Sequence, residues 1–179
     1  QDFTASTNSV PETPGFTTSD LVFQGNLASW KVFANTLKLK LYLRMINAQP
    51  ALAQEKITEL INSGAPLLTV NAAVTNFTDV LAKDNPFYEQ NIRGLNTTDN
   101  IRASYTIASW LIDNADTRAV YYFGAAVPTA VHQGDYNGTN PTYGSARVFV
   151  QRATDPVIFI SAAESYLMQA EANVRYFGG

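Results

Sequence analysis

The sequence predicts a mostly α-helical fold with long loops and a minor amount of β-structure. Apolar residues recur every three or four positions in several long segments, which is the spacing of helices that bury one side. Glycine, proline, asparagine and threonine concentrate between these segments, which is typical of loops and turns. Apolar residues make up 46% of the 179 residues and charged residues 15%, so the chain can form a core and does not have the composition of a disordered segment.

The first predicted helix covers residues 26–50 and is apolar on two sides. Such a helix packs against neighbours on both sides, so we expect it to be central. Leu37 and Leu41 lie on the more continuous side and are expected in the core. One side carries Trp30, Phe33, Leu37, Leu41 and Met45, and the other carries Leu39, Leu43 and Ile46.

Three further helices are predicted. Residues 51–64 form the second, because Pro50 suits a first helical position and Gly64 suits a helix end. Residues 104–116 form the third, and the fourth begins at Ser161. The third helix is expected to bury Ile107, Trp110 and Leu111.

The remaining segments are predicted to be loops. We interpret residues 1–26 as an extended arm or linker and residues 27–179 as one α-helical domain. Residues 65–100 are expected to form a loop with one short helix, and residues 127–156 are rich in turn residues, with a short β-segment at 146–151. Loops of this length often carry function.

Two glutamates on the last predicted helix raise the question of catalysis. Glu164 and Glu171 lie seven residues apart, and a paired acid and base would be one interpretation. Two helical turns separate their Cα atoms by about 10.5 Å with parallel side chains, so no cleft is indicated between them. We favour structural roles instead: Glu164 in a capping box with Ser161, and Glu171 in an ion pair with Arg175.

Composition excludes several kinds of site. The chain contains no cysteine and one histidine, His132, so thiolate or multi-histidine metal centres are excluded and a histidine-dependent triad is not indicated. We predict no cofactor and no metal site. The net charge of −3 argues against nucleic-acid binding. Four aspartates match no EF-hand spacing and are expected in turns and caps: Asp113, Asp116, Asp135 and Asp155.

Two loops combine aromatic rings with polar side chains. Tyrosine rings stack on the C–H faces of sugars, and asparagine and arginine side chains bond to sugar hydroxyls. Such loops can therefore bind a glycan without any catalytic group, although each tyrosine could also pack back on the protein. The candidate ligand-binding residues are Tyr136, Asn140, Tyr143 and Arg147 in one loop and Tyr88, with Asn91 beside it, in the other.

Five segments of this chain together resemble the SusD/RagB family, specifically its SusD-like branch. They span residues 27–179, and the turn at 116–118 reads "DTR" where the family more often has a central proline. In order, the segments are "SWKVFANTLKLKLYLRMI", "NPFYEQN", "LIDNADTRAVYYF", "HQGDYNGTNPTYG" and "FISAAESYLMQAEANVRYFGG".

The resemblance implies a SusD-like fold of tetratricopeptide-like helix pairs with a loop-rich ligand-binding part. It also implies a non-enzymatic lipoprotein on the outer membrane of a Gram-negative bacterium. Such a protein captures glycans for a SusC-like TonB-dependent transporter. The family's lipidated cysteine is absent from this chain, which we expect to be part of a longer protein. Two alternatives remain, a glycoside hydrolase acting through loop carboxylates and a helical-repeat scaffold that binds another protein.

Overall fold

The structure, a computed structural model, describes residues 18–94, 101–135, 148 and 151–178. The described part is mostly helical with a small two-stranded sheet, so the fold class predicted from the sequence is confirmed. In chain order its elements are α1 (Leu27–Met45), α2 (Pro50–Asn62), β1 (Ala72–Val74), α3 (Pro86–Tyr88), a π-helical turn (Glu89–Arg93), α4 (Tyr105–Asp113), α5 (Arg118–Phe123), β2 (Val157–Ile160) and α6 (Ala162–Tyr176).

The chain forms two compact units. The described part of the first unit comprises residues 18–76 and 156–178, which hold α1, α2, α6 and the sheet. The second unit lies within residues 77–155 and holds α3, the π-helical turn, α4 and α5. None of the helices in the described ranges combines the length and apolar character needed to cross a bilayer.

Helix α1 begins at an asparagine cap and ends earlier than predicted. The Asn26 side chain accepts a hydrogen bond from the Ser29 backbone N–H at 3.0 Å, which satisfies one of the free donors at the helix start. At the other end, the N–H groups of Ala48 and Gln49 both donate to the Met45 carbonyl, at 3.0 and 2.8 Å. These bonds form a tight turn that leads into α2, so residues 46–49 do not continue the helix.

Helix α2 follows the prediction closely. Pro50 occupies its first turn, where the missing N–H removes no helical hydrogen bond. The helix ends at Asn62, and Gly64 follows with a φ of +67°, a left-handed conformation that glycine adopts readily. Ala53 and Ile57 are buried on its inner side.

The sheet was not predicted from the sequence. Strand β1 pairs antiparallel with β2, with Ala72 opposite Ile160 and an irregularity between Ala72 and Ala73. Both strands are too short to show an alternating pattern. Of the predicted β-segment at 146–151, only residues 148 and 151 are described, and the prediction otherwise lies outside the described residues.

The core of the first unit forms where α1, α2, α6 and the sheet meet. Helix α1 contacts both α2 and α6, so it is central in this unit as expected. Its buried side is the opposite of the one predicted, however. Leu39 is fully buried, whereas Leu37 is 38% exposed and Leu41 is 54% exposed. The buried cluster consists of Leu39, Ile57, Leu68, Ala72, Ile160, Met168 and Ala172.

Two polar side chains explain why α1 is turned this way. Asn35 donates to the carbonyl of Pro66 at 3.2 Å, and the Thr36 hydroxyl accepts from the Leu68 N–H at 2.8 Å. Both polar residues are buried, and these bonds tie their side of α1 to the segment that precedes β1. The prediction for Leu37 and Leu41 was wrong because it counted apolar residues and gave no weight to buried polar ones.

The prediction for α4 is also partly wrong. Leu111 is buried as expected, but Ile107 and Trp110 are exposed, Trp110 by 52%. Small residues take the buried positions instead, since Ala108 and Ala119 are almost inaccessible and allow α4 and α5 to approach closely. Trp30, also expected in the core, is half-buried.

Leu39→Ala is expected to lower the free energy of unfolding of the first unit by about 2–5 kcal/mol, because it removes a fully buried side chain. The matched control is Leu41→Ala in the same 179-residue chain, where an exposed side chain should change stability by no more than about 0.5 kcal/mol. Urea denaturation followed by Trp30 fluorescence in a Trp110→Phe background measures both. Equal losses in the two variants would contradict the observed orientation of α1.

Candidate functional site

Four of the five ligand-binding residues predicted from the sequence lie outside the described residues: Tyr136, Asn140, Tyr143 and Arg147. The fifth, Tyr88, is described and lies in the second unit. The structure therefore describes the surroundings of Tyr88. It also describes the chain as far as Asp135, the residue directly before Tyr136.

The segment that carries Tyr88 is anchored by one asparagine. The Asn85 side-chain oxygen accepts from the N–H groups of Phe87 and Tyr88, at 2.8 and 3.1 Å, and so caps α3. Its side-chain amide donates to the Asp155 carbonyl at 2.8 Å, and its backbone N–H donates to the Ala153 carbonyl at 2.7 Å. Asn85 thus fixes the "NPFY" turn to residues that lie far along the chain.

Tyr88 is half-buried, and part of its ring is already engaged. The Arg93 guanidinium carbon lies 5.4 Å from the ring centroid, which is the distance of a cation–π contact. Asn91, which the sequence placed beside Tyr88 as a polar contact, is 2% exposed and accepts from the Ile101 N–H at 2.6 Å. Asn91 is therefore a structural residue that holds the chain at Ile101.

Arg93 also connects a group of acidic side chains. Its Nε lies 2.8 Å from Oδ2 of Asp84, a side chain that is almost completely buried, and its Nη2 contacts Asp79. The neighbouring Asp84 carboxyl raises the pKa of the Glu89 carboxyl, because two close carboxyl groups favour having one proton between them. Glu89 therefore takes up a proton more readily than an isolated glutamate.

The second unit also contains an open cavity, lined by residues 102–104 and 131–135 and about 310 Å³ in volume. A short parallel pairing builds it: the Val131 N–H donates to the Ala103 carbonyl at 2.8 Å, and the Tyr105 N–H donates to the Val131 carbonyl at 2.9 Å. Its polar side chains come from Arg102, Ser104, His132, Gln133 and Asp135. We call this feature the 102–135 cavity.

Two stacked aromatic rings, those of Tyr105 and His132, lie beside the 102–135 cavity. The His132 ring, which belongs to the lining, lies against the Tyr105 ring with the centroids 3.9 Å apart and the planes at 28°. Tyr105 is 46% exposed. The sequence did not single out Tyr105 as a binding residue, because it opens a helix. Its position at the first helical residue, directly after Ser104, was the available signal.

More aromatic side chains are exposed on the two helices of the second unit. Trp110 lies on α4, and Tyr121 and Tyr122 lie on α5, with Tyr121 79% exposed. Exposed aromatic rings are costly to leave in water, so a group of them on one compact unit is a feature of binding surfaces.

The predicted ion pair of Glu171 with Arg175 is present, and of the predicted capping box only the Ser161 half is observed, because the Glu164 carboxylate pairs with Lys40. The Ser161 hydroxyl accepts from the Glu164 N–H at 3.0 Å, the Glu164 carboxylate lies 2.7 Å from Lys40, and Glu171 lies 2.8 Å from Arg175. These ion pairs support the structural interpretation of both glutamates. No cluster of three or more potential metal-ligating side chains occurs within the described ranges.

Two of the aspartates that were expected in turns and caps, Asp116 and Asp155, accept hydrogen bonds from nearby backbone N–H groups. Asp116 accepts from the Arg118 backbone N–H at 2.9 Å and pairs with the Arg118 guanidinium, which lowers the pKa of the Asp116 carboxyl. Asp155 accepts from the Arg152 N–H at 2.8 Å. The expected local ion pair of the "DTR" turn is confirmed.

A family model described as SusD-like, starch-binding and associating with the outer membrane matches residues 2–179. This chain belongs to the SusD-like family. The resemblance seen in the sequence is therefore confirmed over nearly the whole chain. No curated protein matches the chain at a significant level.

Several solved structures share the fold. A SusD homologue from Bacteroides thetaiotaomicron VPI-5482 superposes with a TM-score of 0.73 at 20% identity, over 98% of this chain and 38% of that one. A SusD homologue from Bacteroides fragilis NCTC 9343 gives 0.68 at 17% identity, over 96% and 40%. A protein named as chitin-binding gives 0.68 at 22% identity, over 96% and 41%. The SusD-like helical fold is thus confirmed, and the chain spans about two fifths of the length of these structures.

Glu89→Gln is expected to stabilise the second unit at neutral pH relative to the natural chain. The folded-state pKa of Glu89 is raised above its ordinary value of 4.5, so its contribution to stability is present below pH 4.5 and is lost as the pH rises through the folded-state pKa. Glutamine keeps a donor towards Asp84 at every pH. The difference in unfolding free energy between variant and natural chain should therefore grow from about pH 4 to about pH 8.

The measurement follows Trp110 fluorescence during urea denaturation in a Trp30→Phe background, since Trp110 belongs to the second unit. Asp116→Asn is the control with the opposite sign, because the pKa of Asp116 is lowered by Arg118 and its stabilisation is present above about pH 4. The same pH dependence in Glu89→Gln and the natural chain would show that the Asp84–Glu89 contact does not control the titration.

Proposed function

We propose that this chain is the glycan-binding part of a non-enzymatic nutrient-capture protein that serves an outer-membrane SusC/SusD-type, TonB-dependent import system. Family membership supports the general role, since the family model is described as starch-binding and associating with the outer membrane. The observation that carries the proposal for this chain is the 102–135 cavity with the exposed Tyr105–His132 stack beside it.

The chemistry of this cavity suits a hydroxyl-rich ligand. The lining includes the hydroxyl of Ser104, the imidazole of His132 and the amide of Gln133, which donate and accept hydrogen bonds. An aromatic ring beside them offers a face for sugar C–H groups. A volume of about 310 Å³ is at the low end for a small-molecule site, which suits a short stretch of a longer glycan. Tyr105 is already held by its contact with His132, so little side-chain entropy is lost when a sugar stacks on it.

We propose that the predicted ligand-binding loop forms a further part of this site. Asp135 lines the cavity, and Tyr136 is the next residue in the chain. We propose that Tyr136 and Tyr143 add stacking rings and that Asn140 and Arg147 bond to hydroxyls. Tyr88 is proposed as a further contact through the part of its ring that remains exposed.

The partners of the whole protein are also part of the proposal. The ligand class is an oligosaccharide, and the membrane partner is a SusC-like β-barrel transporter that receives it. A structural relative is named a chitin-binding protein and the family is described as starch-binding, so uncharged glucose- and N-acetylglucosamine-based chains are the first ligands to test. Co-purification with a barrel transporter from native outer membrane would test the membrane partner.

The glycoside hydrolase alternative has one observation in its favour, the neighbouring carboxyls of Asp84 and Glu89 with the raised Glu89 pKa. A catalytic carboxyl pair needs room for a sugar or a water molecule between its two members. Asp84, however, is buried against Arg93. The pair is thus better suited to holding the turn than to hydrolysis.

The helical-repeat scaffold alternative is favoured by the exposed apolar side of α1, where Leu37 and Leu41 face solvent. A surface of this kind suits another polypeptide rather than a sugar, since it offers few hydrogen-bonding groups. It lies in the first unit, whereas the 102–135 cavity lies in the second. Polypeptide binding by α1 and sugar binding by the cavity are therefore compatible.

Tyr105→Ala is expected to weaken oligosaccharide binding by about 1 kcal/mol, which is about fivefold in Kd, because it removes one stacking ring. Isothermal titration calorimetry with maltohexaose and chitohexaose measures the effect on whichever probe binds the natural chain. Tyr166→Ala is the matched control, since Tyr166 is similarly exposed but lies on α6 in the first unit. Adding Tyr136→Ala and Tyr143→Ala should weaken binding further.

Unchanged affinity in Tyr105→Ala would remove the cavity from the proposed site. Unchanged affinity in the triple variant would place the site in another part of the protein. An equal loss in Tyr166→Ala and Tyr105→Ala would point to a general effect on folding, which circular dichroism of both variants would reveal.

Incubation of the chain with starch and chitin is expected to release no reducing ends, because the carboxylates of Glu164, Glu171, Asp116 and Asp155 are engaged in ion pairs and turns. The assay compares the natural chain with Glu89→Gln and Glu171→Gln. Release of reducing ends that either substitution abolishes would contradict the non-enzymatic proposal and identify the catalytic carboxyl.

A further inference from the structure

Two helices of the described part begin directly after a serine, and one of these serines does not cap its helix. Ser161, before α6, and Ser104, before α4, have similar extended backbones, with φ and ψ of −82° and 156° and of −80° and 133°. The Ser161 hydroxyl accepts from the Glu164 N–H at 3.0 Å. The Ser104 hydroxyl makes no bond to its helix, although its backbone has the conformation of a cap. It is therefore free to bond to another group.

The missing cap has a cost for α4. The first N–H groups of a helix have no partner within the helix, and a side-chain cap satisfies one of them. A Ser104 cap would bond to the N–H of Thr106 or Ile107, and both residues are exposed, so water can bond to these groups instead. The chain thus lacks the stability that a cap would give. Stability is often lost in this way where a side chain serves a binding site.

Ser104 lies in the wall of the 102–135 cavity. Its backbone is held there from both sides, since the Val131 N–H donates to the Ala103 carbonyl and the Tyr105 N–H donates to the Val131 carbonyl. The residue is half-buried, and none of the described residues bonds to its hydroxyl. The cavity therefore contains a hydroxyl group in a fixed place that the fold itself does not use.

We propose that the Ser104 hydroxyl is a ligand-contacting group, which forms a hydrogen bond with the sugar that stacks on Tyr105. This inference rests on the proposed function of the 102–135 cavity. The two residues are adjacent in the chain, so a ring for the C–H face of a sugar and a hydroxyl for its polar edge come from one fixed segment. A hydroxyl both donates and accepts, as sugar hydroxyls do, and so it suits an uncharged glycan.

Replacement of Ser104 separates a binding role from a capping role. In the 179-residue chain, Ser104→Ala is expected to weaken oligosaccharide binding by about fivefold in Kd, because one neutral hydrogen bond is lost. The urea midpoint of the second unit should not change, since no described residue bonds to the hydroxyl. Calorimetry with maltohexaose and chitohexaose measures the affinity, and Trp110 fluorescence in a Trp30→Phe background measures the midpoint.

The matched control is Ser161→Ala, because this serine does cap its helix. It is expected to lower the urea midpoint of the first unit, read from Trp30 in a Trp110→Phe background, and to leave the affinity unchanged. Ser104→Asp is a second test. Aspartate caps helices well and its charge suits a helix start, but its carboxylate only accepts hydrogen bonds. We expect this variant to raise the midpoint of the second unit and to weaken binding.

Two results would overturn the proposal. One is a fall in the midpoint of the second unit in Ser104→Ala as large as the fall that Ser161→Ala causes in the first unit, which would make Ser104 a cap. The other is natural affinity in Ser104→Ala. If Tyr105→Ala weakens binding in that case, the proposed function stands and the Ser104 contact alone is excluded. If neither variant changes the affinity, the cavity is not the binding site and both proposals fail.

Discussion

The orientation of α1 depends on the buried side chains of Asn35 and Thr36, and the Thr36 hydroxyl makes two of their hydrogen bonds. Thr36 donates to the Val32 carbonyl at 2.9 Å and accepts from the Leu68 N–H at 2.8 Å, so it joins the longest helix of the described part to the segment that leads into β1. A buried N–H without a partner would be costly, and therefore this contact restricts rotation of the helix about its axis. Leu39 enters the core because it lies on the Thr36 side. The same rotation leaves Trp30 and Leu41 at the surface.

The second unit depends on polar contacts of a similar kind but of longer range in sequence. Asn85 caps α3 and binds the backbone at residues 153 and 155, and the Ala103–Val131 pairing brings together the two segments that line the cavity. Alanines occupy other buried positions of this unit, since Ala103, Ala108 and Ala119 are almost inaccessible to solvent. Small buried residues and backbone hydrogen bonds let short helices pack closely, and the larger aromatic rings then remain outside.

Sequence reasoning was most successful where the physical signal is local. Helical periodicity, the Pro50 and Gly64 boundaries, the Ser161 cap and the ion pairs of Glu171 and Asp116 all depend on residues within a few positions of one another. It failed where the deciding contact is distant. The burial of Leu39 rather than Leu41 depends on Leu68, the sheet on a pairing between strands far apart in the chain, and the cavity on the meeting of residues 102–104 with 131–135. The family resemblance supplied the fold class but not these contacts.

Several carboxylates of both units are engaged in structural contacts. A catalytic carboxyl must be free to exchange a proton with its substrate, and this requires a partly open position beside a cleft. Glu164 and Glu171 are bound to Lys40 and Arg175, and Asp84 is buried against Arg93. These pairs stabilise helix packing and the turn after α3. In the proposed function, the cavity and the Tyr105 ring hold a neutral sugar by many weak contacts. Such contacts exchange rapidly, which suits a protein that passes its ligand onward.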